Sequence, residues 1–592
     1  MKPNYKLNVI HRYIMLLFKR LSERQLMMLI AFLIGIVTAF AAYLFEATVD
    51  EIRTVLTNWV NADKVNILYL VSPLLGIIIV TLFVKYVVKE SISHGVTKIL
   101  YAIIHKGSKL KPHNTYSSIL GGAVTIGFGG SVGPEAPIVM TGAALGSNIG
   151  RFFRMNYRNT TILLGCGAAG ALAAIFKAPI AGVVFVLEVL MLDITMLSII
   201  PILIAAVTST TIIYFMHGFE PVFSVTMGEN AIRVAHMPYY LVLSVLCGFV
   251  AYYLIFTSAK IEKAFKKIKK QYQKWIIGGS ILGILIFLFP PLYGQGYNSI
   301  SNLINSDMPS LFQNTLFYSL QNSIWVLLAF LAAVIAFKSI AMACTNAAGG
   351  VGGAFAPSLF LGAFTGFFTA TLLNYLFGLD LPVTSFTLVG MAGVMSGAMN
   401  SPLTAIFLIA EITGGYRLFV PLMLVSAIAF AISYYFSPYS VYTRELVLSG
   451  DTMAVSKEKA MLFIDTENLV EDDFTTVRED MTLGDMIDVV AQSRRNIFPV
   501  VNEARELKGV VTLDDIRQDM FDRSLYNRYY VYDYMTTPPA YIEWGEPIST
   551  ILEKFDKTGA WNLPVVNEEN RYVGFVSKSK IFSEYRNELQ KE

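Results

Sequence analysis

Two glycine-rich runs, Gly129-Gly130-Ser131-Val132-Gly133-Pro134-Glu135-Ala136-Pro137 and Gly349-Gly350-Val351-Gly352-Gly353-Ala354-Phe355-Ala356-Pro357, stand 220 positions apart in strongly apolar surroundings. Each has the form of a helix start. A glycine-flanked N-terminus presents unpaired backbone amides, and the aligned peptide dipoles favour negative charge there, so such a start binds anions. Pro134 suits a first helical position and Glu135 a first turn. Two starts of this kind facing each other would make an anion site at the midplane of a membrane.

That the surroundings are a membrane follows from composition: 592 residues with 54% hydrophobic and only 15% charged side chains are too apolar for a soluble chain of this size. Spans are predicted at 26–45, 68–88, 196–215, 239–257, 276–293 and 323–343, each near the roughly 20 residues a crossing needs. Stretches at 161–175, 178–192, 385–399 and 402–412 read as too short, and the uncharged segment 339–379 reads as interrupted by its glycines and Pro357. Short or broken helices are tolerated at membrane depth where protein or a cavity surrounds them, which is a transporter or channel signature.

Lys2, Lys6, Arg12, Lys19, Arg20 and Arg24 put the N-terminus (1–25) in the cytoplasm by the positive-inside rule, and the segment that follows is too long for a signal peptide. Lysines clustered from Lys260 to Lys274 mark a second cytoplasmic loop, read as topology determinants in preference to a lipid site. A net charge of +3 argues for no nucleic-acid partner, and Cys166, Cys247 and Cys344 read as buried packing residues.

At a shift of 223, Gly170, Pro179 and Glu188 fall on Gly393, Pro402 and Glu411, so the membrane region is an internal duplication whose orientation the sequence leaves open. Composition changes after Tyr442, and a soluble region (448–592) repeats at a shift of 65: Phe498-Pro499-Val500-Val501-Asn502 over Leu563-Pro564-Val565-Val566-Asn567. Each copy, about 467–522 and 533–587, reads as helix, strand, turn, strand, helix.

The run Gly352-Gly353-Ala354-Phe355-Ala356-Pro357, the starts Lys177-Ala178-Pro179 and Asn400-Ser401-Pro402, and Tyr442 resemble the CLC family of chloride channels and chloride/proton exchangers, with a C-terminal pair of cystathionine-β-synthase (CBS) modules. The resemblance implies a polytopic α-helical fold of inverted repeats with many tilted and broken helices over 26–447, a cytoplasmic α/β tandem CBS domain, and a homodimer in a cell membrane with both termini cytoplasmic. It implies that chloride, or another small monovalent anion, is held by the amides of Ala354 and Phe355, by the start at Gly133, Pro134, Glu135 and Ala136, by an early loop at Ser93 and His94, and by the hydroxyl of Tyr442. Hydrogen-bond donors without a full counter-charge suit an anion that must also leave.

The chain departs from the family where proton coupling is decided. The gating acid of the exchangers is matched by Val132, the inner proton-transfer glutamate by Val189, and the basic residue before the gate by Ser131, which removes a fixed positive charge. Loss of both acids resembles the channel branches and gives the first expectation, a passive anion channel modulated by voltage or ligand. Glu135, three places after Val132, is read either as a displaced gate that would serve a proton-coupled antiporter or as a carboxylate satisfying its own helix start. His94 reads either as a pore imidazole that strengthens anion binding on acidification or as a loop hydrogen-bonding group.

In the CBS pair, Thr512 and Asp515 have the spacing to meet a ribose, so an adenine nucleotide is a candidate ligand beside a purely structural role. Glu188 and Glu411 read as structural acids. A CBS-regulated divalent cation transporter is a remote alternative, since the intramembrane acids are dispersed. No metal site and no catalytic residue is expected: neither His-Glu-X-X-His nor a glycine-flanked nucleophile serine appears, so the chain is not read as an enzyme.

Overall fold

The computed structural model describes residues 22–58, 68–92, 95–192, 196–225, 233–313, 315, 317–318, 323–448, 469–546, 548–567 and 569–590. Two units, residues 1–449 and 450–592, are taken in turn. The first is built from α1 (Glu23–Asn58), α2 (Leu68–Phe83), α3 (Gly95–His105), α4 (Asn114–Gly127), α5 (Glu135–Phe152), α6 (Tyr157–Phe176), α7 (Pro179–Glu188), α8 (Met196–His217) and α9 (Met237–Lys266). It continues through α10 (Gln271–Leu288), α11 (Tyr297–Ile304), α12 (Met308–Phe312), α13 (Ile324–Ala348), α14 (Phe355–Phe377), α15 (Val383–Met399), α16 (Pro402–Ile412), α17 (Phe419–Phe436) and α18 (Thr443–Leu448).

Among the described residues nine helices are long and apolar enough to cross a membrane, and three of them differ from the sequence expectation. The stretch 161–175 belongs to α6, which has 20 residues because its polar first turn starts at Tyr157, capped by the Asn156 side chain accepting from the Asn159 amide at 2.8 Å. The segment 339–379 is interrupted at its glycines, between α13 and α14, but not at Pro357, which lies inside one helix of 23 residues, α14. Pro357 falls in the first turn, where no intrahelical hydrogen bond is lost, and Gly362 and Gly366 lie against the backbone of α15 where no Cβ would fit. Helix α17, absent from the expected spans, completes the nine. Helices α7 and α16, with 10 and 11 residues, are short as expected.

The orientation of the repeats is set by two reciprocal contacts. Glu188, last in α7, accepts from the amides of Leu403 (3.1 Å) and Thr404 (2.8 Å) at the start of α16. Glu411, in the last turn of α16, accepts from Ile180 (3.0 Å) and Ala181 (2.8 Å) at the start of α7. The end of each helix meets the start of the other, so the two run antiparallel. Gly133 and Gly353 likewise exchange two backbone hydrogen bonds of 2.9 Å as an antiparallel bridge. The duplication is therefore inverted.

Charged ends sort to opposite poles of the unit. Lys85 and Lys89, beyond α2, share a cavity with Glu262, Lys266 and Lys274, whereas Glu46, Asp50 and Arg53 at the far end of α1 share another with Lys177 and His217. All three cysteines are buried and free.

In the second unit, β1 (Ile497–Val501) pairs antiparallel with β2 (Leu507–Thr512), and β4 (Asn562–Val566) pairs antiparallel with β5 (Tyr572–Ser577) on one edge and parallel with β3 (Ile542–Glu543) on the other. The 65-residue repeat extends to register: Ile497 faces Thr512 as Asn562 faces Ser577, and both hairpins are irregular at the same step, Val500/Val501 and Val565/Val566. The closing helices differ, four residues after β2 (Leu513–Ile516) against 13 after β5 (Lys578–Gln590). Phe498, Val500 and Val511 centre one core and Leu563, Val565 and Val576 the other, joined by Phe474, Val510 and Phe575.

Candidate functional site

The two glycine loops are held by the opposite repeat. Thr125 in α4 accepts from the amide of Val351 at 3.0 Å, and Thr345 in α13 accepts from Ser131 at 3.2 Å, so each loop rests on the threonine of the other half. With the Gly133 to Gly353 bridge, this fixes the starts of α5 and α14 side by side. The bridge corrects one expectation: the Gly133 amide is engaged with the Gly353 carbonyl and Pro134 has no N–H, so neither donates to an anion in this arrangement. Pro134 is the cap of α5 and Glu135 its first residue.

Glu135 is buried, and its Oε1 accepts from the amide of Phe355 at 2.6 Å, with the Ala356 amide also directed at the carboxylate. Ala354 precedes them as the cap of α14. The carboxylate fits only because Gly133 and Gly353 lack side chains; a Cβ on either would run into it. An anionic group thus lies at the N-terminus of α14, where backbone amides and dipole favour it. Val132 is fully buried against Gly352, and Val189 is buried just past the end of α7. Ala136 is buried one place after the carboxylate.

Two cavities approach this carboxylate. One, about 60 Å³, is lined by Gly95, Thr97, Ala136, Gly353, Ala354 and Tyr442, on the pole that carries Lys266 and Arg444. The other, about 420 Å³, is lined by Glu46, Asp50, Lys177, His217, Gly294 and Tyr297 at the far pole. Tyr442 is placed by Thr97 in α3, whose hydroxyl donates to the Tyr442 carbonyl at 3.0 Å. Ser93 and His94, immediately before α3, lie outside the described residues.

Lys338 is a site residue that sequence reasoning missed. Fully buried in α13, its Nζ donates to Ser131 Oγ at 2.8 Å and to the Gly294 carbonyl at 3.1 Å, and lies 4.7 Å from the Phe360 ring centroid. The amino group absent at Ser131 therefore arrives from another helix and is held by Ser131 itself. Its signal was a lone ionisable residue inside an apolar span.

In the second unit, Asp515 accepts from both the amide and the hydroxyl of Thr512 at 2.7 Å, a capping box at the start of the short helix Leu513–Ile516. The pair singled out for a ribose is thus occupied in a helix start. Among the described residues no three of His, Cys, Asp and Glu gather as a metal site.

Comparison with known proteins agrees with this architecture. The model of the voltage gated chloride channel family matches residues 75–434, and that of the CBS domain matches 467–522 and 531–587. The putative chloride channel protein ClcB-like of Ralstonia nicotianae is 28% identical over 388 residues, 64% of this chain and 86% of that protein. The H(+)/Cl(-) exchange transporter ClcA of Vibrio parahaemolyticus is 28% identical over 441 residues, 71% of this chain and 89% of its own. Among solved structures, a slow cyanobacterial Cl-/H+ antiporter superposes with a TM-score of 0.62 at 22% identity, covering 72% of this chain and 98% of that one. A eukaryotic CLC transporter does so at 0.59 and 17%, covering 94% and 99%. These two likenesses establish the fold.

Proposed function

The chain belongs to the voltage gated chloride channel family, an anion transporter of the membrane with a pair of C-terminal CBS domains, and from that premise we propose that it conducts chloride passively, with Glu135 as its gate. The observation that carries this reading is the Glu135 carboxylate seated on the Phe355 amide, with its neighbours Ala136, Gly353 and Ala354 lining one cavity and Tyr297 lining another. A carboxylate in the anion's place blocks the path. Protonation or displacement frees the Phe355 and Ala356 amides for a chloride, which Tyr442 meets from the inner cavity. Lys338, in its protonated form, supplies positive field beside the glycine loop without a direct contact that would trap the ion. Passive conduction is favoured because both positions that carry protons in the exchangers are valines, Val132 and Val189.

Proton-coupled exchange is the second reading, favoured by the same seated carboxylate and by the exchange transporters among the relatives. Reconstitution in liposomes under a chloride gradient, with voltage clamped by potassium and valinomycin, separates the two. Chloride flux without uphill proton movement supports the channel; chloride-driven proton movement overturns it and makes Glu135 the proton carrier. Family membership leaves the divalent cation alternative without support.

Homodimerisation belongs to the same proposal. Helices α7 and α16 are too short to cross a bilayer, yet Ile180 is 39% and Leu403 53% exposed on them. Short helices at membrane depth require protein around them, which a second copy provides. The positive-inside rule, applied to the basic pole at Lys85, Lys89, Lys266 and Lys274, favours the cytoplasmic side for that pole, in keeping with the cytoplasmic termini expected from the sequence. For the CBS pair, the capping box at Thr512 and Asp515 supports a structural role over nucleotide binding there.

A further inference from the structure

Three polar atoms near the Phe355 amide have no hydrogen-bond partner although shielded from solvent: Oε2 of Glu135 and the hydroxyls of Tyr442 and Tyr297. Both hydroxyls lie within electrostatic reach of the Glu135 carboxylate. Buried hydroxyls are nearly always paired, and each one left unpaired carries a desolvation penalty. Two of them converging on one carboxylate from different cavities mark a place built for a ligand that accepts hydrogen bonds.

Tyr442 belongs to the inner cavity, and Tyr297 lines the outer one. Tyr297 is placed by the loop Gly294-Gln295-Gly296. Gly296 takes φ 85°, a left-handed conformation, caps α11, and leaves no room for a Cβ against the Phe360 ring. The Tyr297 ring then packs edge-on to Phe176 (6.5 Å between centroids), which stacks on Phe355 (5.2 Å), and to Phe223 (5.9 Å). The ring is thereby locked beside the residue whose amide holds the carboxylate.

We propose that Tyr297 is an anion-ligating residue, whose hydroxyl donates from the outer cavity to a small monovalent anion seated at the Phe355 amide, opposite the hydroxyl of Tyr442. This rests on the reading of that seat as the anion site. A neutral donor on each side gives directional contacts without a second fixed charge, so the anion is held yet can leave toward either cavity. Tyr297 also stands where an anion from the outer cavity would first meet a donor, which makes it a determinant of anion choice on that side.

The test measures chloride binding to the purified full-length protein by titration calorimetry in the Glu135→Gln background, where the competing carboxylate charge is gone, with and without Tyr297→Phe. Phenylalanine keeps the aromatic packing and removes only the oxygen. Chloride affinity should fall about three- to tenfold, the effect of one lost hydrogen bond. In liposomes, Tyr297→Phe alone should slow chloride flux and shift the bromide-to-chloride ratio, which a merely structural ring would not do. Chloride binding in Glu135→Gln that Tyr297→Phe leaves unchanged would overturn the role of Tyr297 alone. Absence of chloride binding in Glu135→Gln would overturn the seat and Tyr297 together.

Discussion

Glu135 and Lys338 are two buried ionisable side chains at the glycine loops, one on the amides of α14 and one on Ser131. Their proposed roles are separable. Glu135→Gln keeps shape but removes the charge that competes with the anion, so chloride flux should rise severalfold at neutral pH and lose its dependence on acidification. In the parent, flux should increase as pH falls, because only the ionised carboxylate holds the seat as an anion. Flux recorded between pH 7.5 and 5 in both proteins checks this. Lys338→Met should lower flux about tenfold, equivalent to roughly 1.4 kcal/mol of electrostatic stabilisation. Because Lys338 reaches Ser131, the double change Ser131→Lys with Lys338→Ser returns the charge to the loop. Recovery of flux in that swap would identify the charge, and not the α13 packing, as what matters.

At the scale of elements, helix starts are the recurring device. Glu188 and Glu411 close each other's helices across the pseudo-twofold, with Thr404 adding a 2.7 Å hydroxyl contact to Glu188. Glu188→Ala or Glu411→Ala leaves two amides at a helix start without an acceptor and should cost about 1–3 kcal/mol, read as a lower unfolding temperature in detergent. The soluble unit uses the same device at lower stakes: Thr482 and Asp485 form a capping box at the helix Leu483–Gln492. The Thr482 hydroxyl and amide hold the Asp485 carboxyl below its usual range. This cap therefore contributes at pH values above the unfolded carboxyl pKa near 3.9, and its contribution is lost as pH falls through the lower folded value. Thr482→Ala should destabilise the CBS unit by about 1 kcal/mol at pH 7, measured by chemical denaturation.

For the whole molecule, inversion brings together segments far apart in sequence. The 220-residue spacing of the glycine runs reappears as Thr125 on Val351 and Thr345 on Ser131. An inverted pair of this kind leaves α7 and α16 on the outside of one subunit, and a second copy covering them is the proposed assembly. Light scattering in detergent should report a mass of two chains, and Ile180→Trp with Leu403→Trp should shift it toward one chain without abolishing chloride flux. A single-chain mass for the parent would overturn the dimer.

Membrane class, duplication, the soluble repeat and the site's outline were legible because each depends on local pattern. Apolar runs reveal spans, glycines with a following proline reveal helix starts, and a shift of 65 reveals two hairpins that match even in their irregular step. The errors at α6 and at Pro357 arose because a polar first turn and a first-turn proline look like breaks, whereas the glycine interruption of 339–379 stands between α13 and α14. What only the tertiary structure decided are facts of distance between remote residues. That Glu135 reaches Phe355, that Lys338 reaches Ser131, and that Gly133 is engaged with Gly353 involve partners more than two hundred positions apart. No periodicity records such pairings. They follow from the close approach of two inverted halves, where low dielectric and the scarcity of water favour pairing of buried polar groups across the two halves.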